Sequence, residues 1–500
     1  MKKYLGLIAL GIILGIKAAI LVTFIQGGSI SLGPDEAQYW TWSEALDWGY
    51  YSKPPAIAWQ MAAGTHIFGV TELGVRIGAV VLSTLTALAV YLCGRCAGAS
   101  DRVSAWASVA LALSPMGVMG SLLATTDGGL TLFWTLSIAA LAIAIRDNCR
   151  PRWLLVGCLV MAGALFKWAA FLLWAVALVG ACFYPKWRSK KIFLGMAISL
   201  LGLLPSLVWN MGHDWASFRH VWGTNVSPHG SGNSLEFLGA QAALLSPVLF
   251  VLLLVAAFYV VGRKTPSAIA FTGWCWIAVV ATYTFMAFGK KIQGNWCIFV
   301  YPAACLPLAW VALEKLKRGL RWMKIGLGLS VVSVALVLAI PSLQEKTPIP
   351  YKANPFRHAV GWKNLEFALE QAGYQPEEHF LFSDKYQTAS LLSFYGAEHK
   401  RAYFLNISSA RKNQFSYWPS MAQERIGQVG FFVWAENLDR IKDKQAGLDH
   451  YQASLNGYFE QVSFVGEYPL VQAKGKPVKS AFVFKCQKYS GLEPQKVQHY

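Results

Sequence analysis

The sequence predicts a polytopic α-helical membrane protein, with about 11 transmembrane helices and a C-terminal extracytoplasmic α/β domain. Three observations predict it. Over half of the residues are apolar (55%) and only 14% are charged. Apolar runs of about 18 to 22 residues recur along roughly the first 340 positions, each long enough to cross ~30 Å of hydrocarbon at 1.5 Å per residue. After Pro341 charged residues become frequent and the apolar runs shorten. One such run fits a signal peptide; a series of them makes a membrane domain.

Taken in order, the runs fall near 4–25, 73–93, 103–121, 129–145, 153–166, 168–184, 192–210, 240–261, 267–288, 295–313 and 324–342. The pair 153–166 and 168–184 reads either as one long helix or as a hairpin turning at Phe166-Lys167-Trp168. Residues 1–342 hold 25 Lys/Arg and 11 Asp/Glu. Eighteen of the 25 lie at Lys2 and Lys3 and in or beside the loops 94–102, 146–152, 185–191, 262–266 and 314–323, while eight of the 11 acids lie on the other side. A Lys/Arg excess in short loops marks the cytoplasmic face. The expected location is therefore the cell inner (plasma) membrane, with the N-terminus cytoplasmic. An odd number of spans carries the C-terminus to the periplasm. The same bias accounts for the net charge of +18 without nucleic acid as a partner.

Two domains follow: residues 1–342, with a structured first outer loop at 26–72, and a periplasmic α/β domain at 343–500. In the latter, 379–383, 428–434 and 482–486 read as strands, and 361–372 and 385–395 as helices. There is no internal repeat of the kind that builds transporters from duplicated halves. Cys93 and Cys96 form a lone C-x-x-C with no second pair, so the cysteines read as packing residues.

The first outer loop carries the densest chemistry: Gly33-Pro34-Asp35-Glu36-Ala37-Gln38-Tyr39-Trp40, then Leu46-Asp47-Trp48-Gly49-Tyr50-Tyr51-Ser52-Lys53-Pro54-Pro55. A connection of about 45 residues has structure of its own, and its aromatics suit short helices in the interface with Trp and Tyr at headgroup level. Asp35 and Glu36 favour a helix N-terminus electrostatically. As neighbours they point about 100° apart, so at most one addresses a reacting atom. Asp127, in the turn 125–129, lies so close to hydrocarbon that it needs a polar cavity, unless it merely caps the helix beginning at Gly128.

Cations balance these acids. Lys53 precedes Pro54-Pro55, whose fixed φ angles stiffen the segment and aim the side chain. Lys290 and Lys291, in the turn 289–296 that also holds Asn295, run against the positive-inside trend; phosphate binding and snorkelling at a helix end both explain them. Arg219 and His220 lie in a long outer loop (211–239) rich in Gly, Ser and Asn, suited to a mobile lid. Lys17, inside the first span, is a functional candidate by position. It ranks below Lys53, as does Lys167, which is expected to surface at a turn.

Asp35-Glu36-x-x-Tyr39 after the first span, Tyr51-Ser52-Lys53-Pro54-Pro55 closing that loop, and Asp127 after the third span resemble the glycosyltransferase C superfamily. Within it the chain is most similar to the bacterial branch related to dolichyl-phosphate-mannose protein mannosyltransferases, which includes the lipid A aminoarabinose transferase. The resemblance is strongest over 30–145. It implies a polyprenyl-phosphate sugar donor and inverting transfer to a lipid or glycan acceptor at the outer face. By that likeness Asp35 is the catalytic carboxylate, Asp127 the second acid and Lys53 the residue that holds the donor phosphate. Ser52 stands where the aminoarabinose enzymes place an acid, so a metal site built on that acid does not carry over.

The expected site therefore comprises Asp35, Asp127 and Glu36 as acids, with Lys53, Lys290, Lys291 and Arg219 toward phosphate. Tyr39, Tyr51, His220 and Asn295 are assigned to substrate contact. Asp127 has three open roles: holding sugar hydroxyls, tuning Asp35, or joining a divalent metal ion, the one cofactor considered. Membrane lipids are the remaining partners. Rival classes are a flippase for a lipid-linked saccharide, a protein O-mannosyltransferase-like enzyme, a glycosidase using Asp35 and Asp127 as a pair, and a membrane scaffold.

Overall fold

The computed structural model describes residues 5–226, 232–343 and 350–494. Lys2 and Lys3, part of the orientation argument, lie outside the described residues, as does part of the 211–239 loop. Helix α1 (Leu5–Gln26) leads through a short turn to α2 (Pro34–Ser43), which starts where Pro34 presets the helical φ. Helix α3 (Ala56–Phe68) follows Pro54-Pro55. Helix α4 (Glu72–Cys96) opens at Thr71, whose hydroxyl accepts from the Gly74 amide.

The next apolar run is one stretch in sequence but two helices in space. Helices α5 (Asp101–Ala112) and α6 (Pro115–Leu122) meet at 59°. Pro115 supplies no amide to continue α5, and the Ser114 hydroxyl caps the new start by accepting from Gly117 N. Lys17 belongs to this break. Its ammonium donates to Gly117 O at 2.9 Å, one of the carbonyls of α6, so the buried cation closes a bend between helices.

Helix α7 (Asp127–Arg146) begins at Asp127 itself. Helices α8 (Trp153–Ala164) and α9 (Leu172–Phe183) flank a turn at Lys167. Pro205 and Pro247 bend two further runs. Helices α10 (Lys191–Leu200) and α11 (Leu204–Met211) meet at 44°, and after α12 (Ala216–Val226), helices α13 (Ser234–Leu245) and α14 (Pro247–Val261) meet at 104°. Helices α15 (Ser267–Gly289), α16 (Tyr301–Glu314) and α17 (Gly319–Leu343) complete the bundle.

All eleven expected runs are helical, but not all are of spanning length. Among the described residues six helices are long and apolar enough to cross a membrane, or nine if each bent pair is one span. Helix α8, with 12 residues, reaches only ~18 Å at 1.5 Å per residue. The chain is a multi-pass membrane protein. All nine cysteines are free.

The C-terminal part is an α/β unit. Helix α18 (Leu365–Gln371) is shorter than expected, because Trp362–Asn364 forms a separate tight turn. Strand β1 (His379–Ser383), helix α19 (Tyr386–Tyr395), strand β2 (Tyr403–Phe404), helix α20 (Met421–Glu424), strand β3 (Val429–Asn437) and helix α21 (Lys444–Leu455) follow. A long hairpin of β4 (Phe459–Ala473) and β5 (Lys476–Tyr489) closes the unit. The sheet order is β2-β1-β3-β5-β4. Strand β1 runs parallel to β2 and β3, and β5 antiparallel to β3 and β4.

The period of two sorts this sheet's side chains cleanly. Phe380, Phe382, Phe432, Phe482 and Phe484 pack on one face under α21. Leu381, Phe431, Val433, Ala481 and Val483 pack on the other, and their core continues into Leu32, Ala37, Trp40, Trp42, Tyr50, Ile57 and Met61 of the first outer loop. The loop and the sheet thus share one apolar core. Trp40 meets Phe394 edge-on at 4.9 Å, and Trp40 and Trp42 are 1% and 0% exposed. These tryptophans, expected at headgroup level, are interior residues covered by the sheet unit. Polar pins reinforce the seam: the Leu32 amide donates to Tyr395 Oη at 2.6 Å, the Tyr395 hydroxyl to Glu72 at 3.1 Å, and the Tyr51 amide to Gln414 Oε1 at 2.7 Å.

Candidate active site

The first turn of α2 separates its two acids, as the 100° step per residue requires. Glu36 turns inward. Its Oε2 accepts from Gly33 N (2.9 Å) and Arg76 Nη2 (2.7 Å), and its Oε1 from Arg76 Nε (2.9 Å) and Ala124 N (3.0 Å). Arg76, fully buried, spends its other N–H groups on Ile30 O and Ser31 O. Every lone-pair direction of Glu36 is used in holding the loop to α4 and to the turn before α7. This corrects the grouping of Glu36 with the reacting acids: it is a buried brace.

Asp35 turns outward, onto a cavity of about 250 Å³ whose other walls come from the C-terminal unit. Its carboxylate meets the water of that cavity, yet enough protein surrounds it to raise its carboxyl above the usual range. Lys53 and Arg411 oppose the rise and Glu36 adds to it. Lys53, half-buried, has an ammonium lowered by burial and by Lys167, with Asp35 and Asp127 opposing. One electrostatic neighbourhood therefore contains Asp35, Lys53, Asp127, Lys167 and Arg411.

Asp127, placed by the start of α7, accepts from Lys167 Nζ at 2.7 Å. The turn between α8 and α9 carries that lysine: it surfaces as expected, and opposite an acid. Tyr39 lies one helical turn on from Asp35. Burial, then the charges of Asp35 and Asp127, raise its hydroxyl well above its ordinary value, so it is a neutral donor beside both acids.

Tyr51 and His220 form the other edge of the site. Their rings lie 4.9 Å apart, and Arg411 donates to His220 Nδ1 at 2.8 Å while its guanidinium lies over the Tyr51 ring. Burial, then Arg411 and Lys53, push the imidazole down to about 4, so His220 is neutral at pH 7. Arg411 belongs to the C-terminal unit, on the segment whose Gln414 accepts from Tyr51 N.

The remaining expected residues are placed differently. Arg219 is exposed and pairs with Asp214 at 3.0 Å. Lys290 is half-buried and Lys291 and Asn295 are exposed, on the turn that joins α15 to Gly294–Val300. Asn233 ties that turn through both of its amide atoms to Ile292. Among the described residues no three His, Cys, Asp or Glu side chains gather as a metal-ligand set. Beside Asp127 the positive charge is the Lys167 ammonium.

Two participants were underrated or missed. Lys167 carried a signal, a cation on an outer turn against the charge bias. Arg411 carried none, since nothing local distinguishes it from the other basic residues of 343–500.

Residues 52–209 match the family model described as dolichyl-phosphate-mannose-protein mannosyltransferase. The chain is 26% identical over 315 residues to lipid A galacturonosyltransferase RgtD of Rhizobium johnstonii, covering 61% of this chain and 64% of that one. It is 28% identical over 364 residues to the undecaprenyl phosphate-alpha-4-amino-4-deoxy-L-arabinose arabinosyl transferase of Pseudomonas aeruginosa, covering 65% and 63%. The match thus spans a little under two thirds of each relative's length. The crystal structure of ArnT from Cupriavidus metallidurans bound to undecaprenyl phosphate superposes with a TM-score of 0.66 at 14% identity, covering 94% of this chain and 97% of that one. That superposition shows the fold. The resemblance read from the first outer loop and Asp127 is borne out.

Proposed function

We propose that this chain is an inverting glycosyltransferase that moves a sugar from a polyprenyl-phosphate donor to a lipid A-like or other envelope acceptor at the periplasmic face of the inner membrane. The carrying observation is that Asp35, which opens onto a water-accessible cavity, shares one electrostatic neighbourhood with Lys53, Asp127, Lys167 and Arg411, drawn from three loops and the C-terminal unit. Relatives named as lipid A galacturonosyl and aminoarabinosyl transferases support the substrate class. In this reading residues 1–342 form the membrane domain, and residues 343–500 stand outside with the acids.

The donor phosphate lies against Lys53 and Arg411, with Lys290 and Lys291 as further cations near the interface. The bond between the anomeric carbon and the phosphate oxygen breaks as the acceptor oxygen bonds to that carbon from the opposite face. Polyprenyl phosphate leaves with the electron pair, and the fixed cations neutralise its developing charge, so no general acid is needed. Asp35 takes the acceptor hydroxyl's proton, and orients the nucleophile instead when the acceptor oxygen is already anionic. Tyr39 donates to the sugar, and Asp127, held by Lys167, fixes a hydroxyl.

The test is mass spectrometry of lipid A, other outer glycolipids and envelope glycoproteins from cells carrying the wild-type chain, the Asp35→Asn chain or neither. A mass difference of one sugar that appears only with the wild-type chain supports the proposal. Identical profiles in all three overturn it.

A further inference from the structure

The cavity that Asp35 opens onto has a second wall that the transfer reaction, as derived above, does not use. Strand β5 gives Lys479, β3 gives Glu436 and Asn437, the turn after β3 gives Arg440, and the loops before α18 and α19 give His358 and Lys385. Glu436 is held by Lys385 at 2.7 Å. That leaves Arg440 and Lys479 facing the cavity with no carboxylate of their own on this wall. Arg440 is exposed and makes no ion pair among the described residues. Lys479 is the unusual group: only 3% exposed, it places its ammonium 3.9 Å from the Trp362 ring centroid and donates to Val360 O at 2.9 Å.

A buried ammonium is costly unless something pairs with it. Across the register from Lys479, Asn437 is likewise 3% exposed, and its side-chain carbonyl oxygen has no hydrogen-bond partner among the described residues. Helix α19 adds its N-terminus, with Gln387 and Thr388 of the first turn lining the cavity and no side chain capping it. Such an end favours negative charge. Burial first, then Arg440, Arg357 and Lys479, with Glu436 opposing, hold the His358 imidazole below its ordinary value.

We infer that this cavity is a subsite for an anionic saccharide. Arg440, Lys479 and the open end of α19 hold a carboxylate or phosphate carried on the sugar, while Asn437 takes a hydroxyl and Asp35 faces the reacting side of the ring. The inference rests on the glycosyltransferase reading and deepens it by naming the charge of the sugar. A volume of about 250 Å³ suits one ring rather than an oligosaccharide. The anion has two sources, a uronic acid on the donor or a phosphorylated sugar on the acceptor, and both present the same chemistry to this wall.

The experiment is equilibrium binding of four probes to the full-length protein in nanodiscs: galacturonic acid, glucosamine 1-phosphate, galactose and 4-amino-4-deoxyarabinose. One of the two anions should bind roughly tenfold or more tightly than galactose, the worth of one charge-assisted contact. Arg440→Gln and Lys479→Gln should each remove most of that preference. A preference for galacturonic acid assigns the subsite to the donor, and one for the sugar phosphate to the acceptor. Equal binding of galactose, preference for the amino sugar, or an Arg440→Gln protein that binds like wild type overturns the inference. Arg440 is exposed, so its variant carries the test if Lys479→Gln does not fold. A protein that binds anionic sugars but leaves every envelope glycolipid and glycoprotein unchanged would sink the transferase reading and leave this subsite standing.

Discussion

Two neighbouring acids on α2 should fail in opposite ways when neutralised. Glu36→Gln keeps the shape but replaces one oxygen by an NH2 group. In either orientation that group faces two donors: Gly33 N and Arg76 Nη2, or Arg76 Nε and Ala124 N. Arg76 is then a fully buried guanidinium without its counter-charge. Breaking a buried pair of this kind costs about 3–5 kcal/mol, a large part of the ~5–15 kcal/mol that holds an ordinary domain. Asp35→Asn removes a charge that faces the water of the cavity, so its effect on stability should stay within about 0.5 kcal/mol. Its loss of base catalysis should lower the rate by about 10²–10⁴. Thermal unfolding of the purified protein by tryptophan fluorescence, alongside transfer measured per folded molecule, separates the two. Expected are a markedly lowered midpoint with residual activity for Glu36→Gln, and an unchanged midpoint with activity lost for Asp35→Asn. A Glu36→Gln protein as stable as wild type but inactive would show that the reacting acid has been misassigned.

Because Lys53 draws the raised Asp35 carboxyl downward, Lys53→Met should shift the acid limb of the single-turnover rate to higher pH; an unmoved limb means the two side chains do not share a site. Asp127→Asn and Lys167→Met should each slow transfer, and the double variant should be no worse than the poorer single one, with a coupling of about 0.5–3 kcal/mol; fully additive losses contradict the 2.7 Å pair. Lys479 has its ammonium lowered to about 7 by burial, with Glu436 opposing, against ~10.4 in an unfolded chain. Between those values the unfolded state binds more protons, so stability should rise with pH from about 7 towards 10, and Lys479→Met should flatten that part of the curve in urea titrations. Parallel curves for the two proteins would mean that the ammonium is not desolvated.

The membrane helices were legible because hydrocarbon thickness imposes a length that shows in one dimension. The bends were not, since Pro115, Pro205 and Pro247 sit inside runs whose apolar character continues across them. At the site, Asp35, Asp127 and Lys53 stood out as charges beside spans, where any charge needs a reason. The division of labour between Asp35 and Glu36 stayed open until Arg76, 40 residues away, claimed one of them. Arg411, Arg440 and Lys479 were invisible for the opposite reason: in a unit rich in cations, only the folded arrangement distinguishes those that come near Asp35 or its cavity. Trp40 and Trp42 misled because a tryptophan at a membrane surface and one waiting for a distant cover look the same in sequence.

That distant cover sets a timetable for biosynthesis. The amide of Leu32 and the tyrosine that receives its hydrogen bond are separated by 363 residues. At ~5–20 residues per second a ribosome needs roughly twenty seconds to over a minute to supply the second after the first. During that interval the aromatic loop has emerged while its lid is still being translated, so a nascent chain has a greasy, unfinished mouth. The pocket around Asp35 is complete only in molecules whose synthesis has run through the sheet.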